Sequence, residues 1–239
     1  MTRIFSGLAA LSLLLLMANM SYGLLFGDFN AEAVRLRAAH QQLEDARKPS
    51  AGSDADAVAE ARRNYERVSA ETRPIRQHAE AHKLLGIAAA VVTVLVNSIV
   101  VTYFIGTSRW CQEVADTYQL PLEFAQRSRR IKRRTFPWSL AGILTMLAII
   151  GCGAAADPLS LLASSEQWVT VHLVVAITGI ALIGLAYARQ AGGLRENVQL
   201  IGQIMEEVGR AREARNLDSA ATSMATGGST APIDERQPY

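Results

Sequence analysis

The chain has 239 residues, 19% of them charged, a formal net charge of +2 and a mean hydropathy of only +0.14. Those averages conceal four apolar runs, residues 4–26, 84–106, 138–156 and 168–188, none of which holds Asp, Glu, Lys or Arg. The longest remaining pieces, 27–83 and the stretch after Ala188, are too short to bury the core of an ordinary enzyme domain, which excludes a soluble catalytic module.

A hydrocarbon layer about 30 Å thick is crossed by about 20 apolar residues in helical form. A lone span in lipid must also satisfy its own backbone polar groups, so each run is expected to be helical. The expected fold class is therefore all-α: a four-span transmembrane helical bundle with an extracytoplasmic helical hairpin and a cytoplasmic amphipathic helix.

Residues 1–26 form the first span. Arg3 and the small residues of Ser21-Tyr22-Gly23 also suit a cleaved signal peptide. The apolar run, however, exceeds the 7–15 residues of a signal core, and retention is the reading preferred. Residues 27–83 form the hairpin. Phe29, Leu36, Ala39, Leu43 and Ala46 recur on a seven-residue repeat. Pro49-Ser50-Ala51-Gly52-Ser53 breaks the chain, and Asp54 can cap the second helix of the hairpin. Val58, Ala61, Tyr65, Val68, Thr72, Ile75, Ala79 and His82 mark the seam of that helix at alternating spacings of three and four. Pro74 removes one helix bond and is expected to kink it. The pair serves either as a spacer or as a stalk that meets a partner or a second copy.

Residues 84–188 form a three-span core. Asn97 and Ser98 are its intramembrane polar pair, read as packing glue with a polar pathway as the alternative. The cytoplasmic connector 107–137 is expected to hold two short helices split at Leu120-Pro121. It carries the basic cluster Arg127, Arg129, Arg130, Lys132, Arg133 and Arg134, whereas connector 157–167 has no Lys or Arg. By the positive-inside rule both termini are cytoplasmic, and the cluster faces anionic lipid headgroups. Nucleic-acid binding is the alternative reading of the cluster, discounted because no recognisable reading domain accompanies the charges. Cys111 and Cys152 fall on opposite membrane faces, too far apart to bridge.

His82, at the start of span two, and His172, one turn into span four, are expected at equal depth and facing inward. Each is followed at i+4 by a small residue, Gly86 and Ala176, with Gly179 farther along. Such a pair can ligate a haem between helices. The plainer reading is interfacial packing. The stretches beginning at His82 and His172 also look like two copies of one two-span unit.

Residues 189–217 form the amphipathic helix, with Leu194, Val198, Ile201, Met205 and Val208 as its apolar stripe. That stripe docks on connector 107–137 or pairs with a second copy. Residues 218–239, rich in Ser, Ala, Thr and Gly, read as disordered. No phosphate loop, nucleophile elbow, zinc-protease helix or dinucleotide turn is present in the sequence.

The segment Asn97 to Cys111, NSIVVTYFIGTSRWC, is similar to one found in uncharacterised bacterial multi-pass integral membrane proteins. The resemblance runs from about His82 to Ala188. It implies the bacterial inner membrane and several spans, and carries no activity. The function expected is a non-catalytic interaction, scaffold or sensor-like component, acting with a homo-oligomeric or membrane-protein partner. A haem-binding electron carrier using His82 and His172 is the alternative.

Overall fold

The computed structural model describes residues 1–25, 29–48, 55–157 and 165–227. They form six helices: α1 (Thr2–Leu24), α2 (Phe29–Ala46), α3 (Ala55–Glu71), α4 (Arg73–Tyr118), α5 (Leu122–Ala156) and α6 (Ser165–Gly227), and no strand occurs among them. Four helices, α1, α4, α5 and α6, are long and apolar enough to cross a membrane.

Their surfaces invert the soluble pattern. Leu14, Leu84, Ile87, Val91, Leu144 and Val174 are exposed, whereas Ser12, Thr93, Asn97, Ser139 and Gln190 are fully buried. Apolar side chains outward and polar ones inward is the arrangement that lipid selects. There the outer face needs no shielding, and interior polar groups bond across helices.

The connectors continue the spans instead of forming separate short helices. α4 runs unbroken to Tyr118 and α5 begins at Leu122, with Pro137 inside it. The break falls at Leu120-Pro121, as the sequence predicts. Pro121 disfavours helical backbone at Leu120. Gln119 takes φ 54°, and the Leu120 N–H bonds the Ala115 carbonyl at 2.9 Å, the Schellman closure of a helix end. On the other side of the second span, α3 passes into α4 at Thr72, just before Pro74. Backbone bonds bridge the joint, from Thr72 N–H to the Val68 carbonyl and from Arg76 N–H to the Thr72 carbonyl. Pro74 there interrupts the helix without reversing the chain.

The described residues divide into two compact units, Met1–Thr102 with Thr135–Gly192, and Tyr103–Arg134 with the chain from Gly193 on. Within the first, α2 and α3 lie antiparallel. Arg35 pairs with Glu71 at 3.1 Å, His40 stacks near Tyr65 at 5.6 Å, and Asn64 donates to Gln42 at 3.1 Å. Ala33, Ala39, Leu43 and Val68 are buried between them. The turn expected at 49–53 and the Asp54 cap lie outside the described residues.

In the second unit the inward residues of α6 are Leu194, Asn197, Leu200, Ile204 and Val208. Leu194 and Val208 of the expected stripe are buried and Ile201 is half-buried, but the face is turned away from two of its members. Val198 and Met205 are 44% and 53% exposed, and Asn197 takes an inward place. The reason is polar: Asn197 Nδ2 donates to the Tyr103 hydroxyl at 3.0 Å and to Thr107 Oγ1 at 3.1 Å on α4. Arg127 of α5 donates to Gln203 at 3.0 Å, and Arg134 pairs with Glu196 at 3.5 Å. α6 continues helically to Gly227, into the stretch 218–239 read as disordered. Ala220, Ala221, Met224 and Ala225 have high helix propensity.

Candidate functional site

In the first unit the burial pattern of α1 and α4 recurs on α5 and α6. The buried residues of α1, Phe5, Ala9, Ser12 and Leu16, recur at identical spacing on α5 as Thr135, Ser139, Gly142 and Met146, all buried. On α4, Ala89, Thr93, Val96, Asn97 and Val100 recur on α6 as Gly179, Ile183, Ala186, Tyr187 and Gln190, again all buried.

The contacts repeat as well. A Cβ at Gly23 would fall 2.9 Å from His82 Cε1, and one at Gly153 would fall 3.0 Å from His172 Cε1. Each imidazole thus seats its tip in a glycine notch of its partner helix. Each also approaches the backbone one turn before that glycine, at Asn19 and Ile149 respectively. Between the pairs, Ser12 meets Tyr187 at 2.9 Å. The corresponding contact sets Asn97 over Gly142, where a Cβ would fall 2.7 Å from Asn97 Oδ1.

At the centre a polar network joins three of the spans directly. Thr93 Oγ1 donates to the Ala89 carbonyl at 2.7 Å. Ser12 Oγ lies 2.8 Å from Thr93 Oγ1. A hydroxyl has one proton, so Thr93, having spent its own, accepts from Ser12, and Ser12 in turn accepts from Tyr187. The order is one-way: Tyr187 to Ser12 to Thr93 to the α4 backbone. A second chain runs from Gln190 Nε2 to Asn97 Oδ1 at 2.9 Å, and from Asn97 Nδ2 to the Thr93 carbonyl at 2.8 Å. Both chains end on α4 carbonyls. α5 contributes Gly142, whose missing side chain leaves room for the Asn97 amide.

Asn97 is therefore central, whereas Ser98 is exposed on the outer surface of α4. Ser12, Thr93, Tyr187 and Gln190 were missed by sequence reasoning. Their signal is a polar residue at helical spacing from buried apolar ones, Ser12 between Ala9 and Leu16 for example, and it is weak in any single run. Of the basic cluster, Arg127 and Arg134 pair with α6, Lys132 is half-buried, and Arg129, Arg130 and Arg133 are exposed.

The network holds hydroxyls, amides and backbone, none of which is a strong acid, base or nucleophile at neutral pH. No group of three or more His, Cys, Asp or Glu suited to a metal ion occurs among the described residues. The small positions expected to make room for a haem are filled, Gly86 by the Asn19 side chain and Gly179 by Ile149 and Thr145. A macrocycle held by both imidazoles requires those side chains to leave, so the packing does not fit the group. A visible absorption spectrum of purified protein separates the two cases.

No family model, curated protein or solved structure matches this chain.

Proposed function

We propose that the chain is a non-catalytic scaffold or sensor-like component of a bacterial inner membrane. In this reading a four-span core carries an extracytoplasmic hairpin, α2 and α3, and the chain continues from its spans into cytoplasmic segments. The observation that carries it is α4 itself, one helix from Arg73 to Tyr118. It begins beside the paired helices and ends among the residues of the second unit.

Charge supports the orientation. Arg127, Arg129, Arg130, Lys132, Arg133 and Arg134 precede the third span, while 157–167 has no Lys or Arg, so both termini are cytoplasmic and the exposed arginines meet anionic headgroups. Retention of α1 is supported by Ser12, because cleavage after Gly23 would strip the acceptor from buried Tyr187 and the cover from His82.

The partner is a second copy or another membrane protein. Photocrosslinking in cells from Val34 on α2 and from Met205 on α6, both exposed, tests this. Discrete protein adducts at either site are expected, and lipid adducts alone at both would contradict it.

A further inference from the structure

The alanine-rich seam of the paired helices leaves space where α2 meets the start of α4. Ala33, Thr72 and Ala79 are too short to fill it, and a cavity of about 390 Å³ remains. That volume falls within the range of small-molecule sites.

Its lining has two characters. Leu36 and Ile75 form an apolar wall, and five charged side chains, Arg37, Arg76, Lys83, Glu32 and Glu80, stand around it. Two of these charges are already answered. Glu32 accepts twice from Arg35 at 3.0 Å, and Lys83 pairs with Asp157 at 2.6 Å. Arg37, Arg76 and Glu80 remain, a surplus of one positive charge. Arg76 is held in place by its Nη2, which donates to the Ser69 carbonyl at 3.1 Å and to Ser69 Oγ at 3.3 Å. Its Nε donor is shielded from solvent and has no acceptor among the described residues. A guanidinium that lines a cavity and is fixed on one side suits a carboxylate or phosphate oxygen. Lys83, which also lines the cavity, is the residue before the apolar run 84–106.

We propose that this cavity binds an amphipathic organic anion, a carboxylate or phosphate head joined to a short apolar body. Arg76 and Arg37 take the head, and Leu36 and Ile75 take the body. This goes beyond the scaffold reading and rests on none of it, so either can fail alone.

The test is calorimetric titration of the full-length protein, in nanodiscs of zwitterionic lipid, with octyl phosphate kept below its micellar concentration. Saturable one-to-one binding is expected. Arg76→Gln and Arg37→Gln should each weaken it about tenfold, the cost of losing a charge-assisted bond. Glu80→Gln, which removes a repelling carboxylate, should tighten it several-fold, and this gain does not depend on a damaged fold. Inorganic phosphate and octanol, each carrying half the chemistry, should bind far more weakly. Binding that is absent, or equal in wild type and both arginine variants, overturns the proposal.

Repeating the titration in nanodiscs of anionic phospholipid identifies the source. Loss of octyl phosphate binding there, with phospholipid co-purifying with wild type and not with Arg76→Gln, means a lipid headgroup. Unchanged affinity means a free amphiphile. Both support the same site chemistry.

Discussion

The imidazole of His172 lies against Gly153 so closely that a Cβ at that glycine would fall 3.0 Å from ring Cε1. His82 repeats this on Gly23. The two notches clamp α5 to α6 and α1 to α4, which makes each helix pair a packed unit. Small residues that let helices approach closely are the main device for association in lipid, where burial of apolar surface gives no drive.

Gly153→Ala should push the His172 ring out of its notch and destabilise the protein by about 1–3 kcal/mol, the usual cost of overpacking. Adding His172→Ala should remove most of that penalty. Adding His82→Ala instead should leave it additive, because only contacting residues couple strongly. Thermal unfolding in one detergent measures the wild type, the three single variants and the two doubles. Equal suppression by both histidine variants would refute separate clamps.

The one-way hydroxyl chain predicts an asymmetry. Tyr187→Phe removes a donor and leaves Ser12 bonded to Thr93, so its cost should be near the ~0.6 kcal/mol average of interhelical bonds. Ser12→Ala removes both the nearest acceptor of the buried Tyr187 hydroxyl and the donor to Thr93, so its cost should be larger, about 1–3 kcal/mol. Equilibrium unfolding of both variants decides the order. A larger loss for Tyr187→Phe would reverse the chain.

Gln119 sits at φ 54°, where an L side chain costs about 1–2 kcal/mol and glycine costs little. Gln119→Gly should therefore raise the midpoint of unfolding, by an amount that corresponds to about 1 kcal/mol. A lowered midpoint would mean that the Gln119 side chain has a stabilising role.

The spans, the break at Leu120-Pro121 and the joint near Pro74 were legible because each rests on a local rule: length of apolar run, or a missing backbone donor. The repeat was only faintly legible. His82 and His172 share a pattern, yet the glycines that receive them, Gly23 and Gly153, lie on other helices and are inconspicuous in sequence. The same holds for the central network. Asn97 stands out as an amide in an apolar run, whereas Ser12 and Tyr187 are ordinary span residues until the fold sets them 2.9 Å apart. The rotation of the α6 stripe has a comparable cause. Hydropathy placed Val198 and Met205 inward, but Asn197 has two hydroxyl partners on α4, and a buried bonded amide outweighs two exposed apolar side chains.

That rotation gives a paired test in the second unit. Ile204 is fully buried and Met205 is 53% exposed. Ile204→Asp buries an unpaired carboxylate and should unfold the unit, releasing α6 to limited proteolysis. Met205→Asp should change stability by no more than about 0.5 kcal/mol, as surface substitutions do. Similar protease sensitivity in the two variants would restore the stripe first expected.

The central proposal is that the chain enters α4 from an extracytoplasmic hairpin and leaves it on the cytoplasmic side. Single cysteines at Ser53 and Ser229, in a background lacking Cys111 and Cys152, test it most directly with a membrane-impermeant maleimide applied to intact cells. The account predicts labelling at Ser53 before lysis and at Ser229 only after it. Labelling of Ser229 in intact cells, or of Ser53 only after lysis, would contradict it.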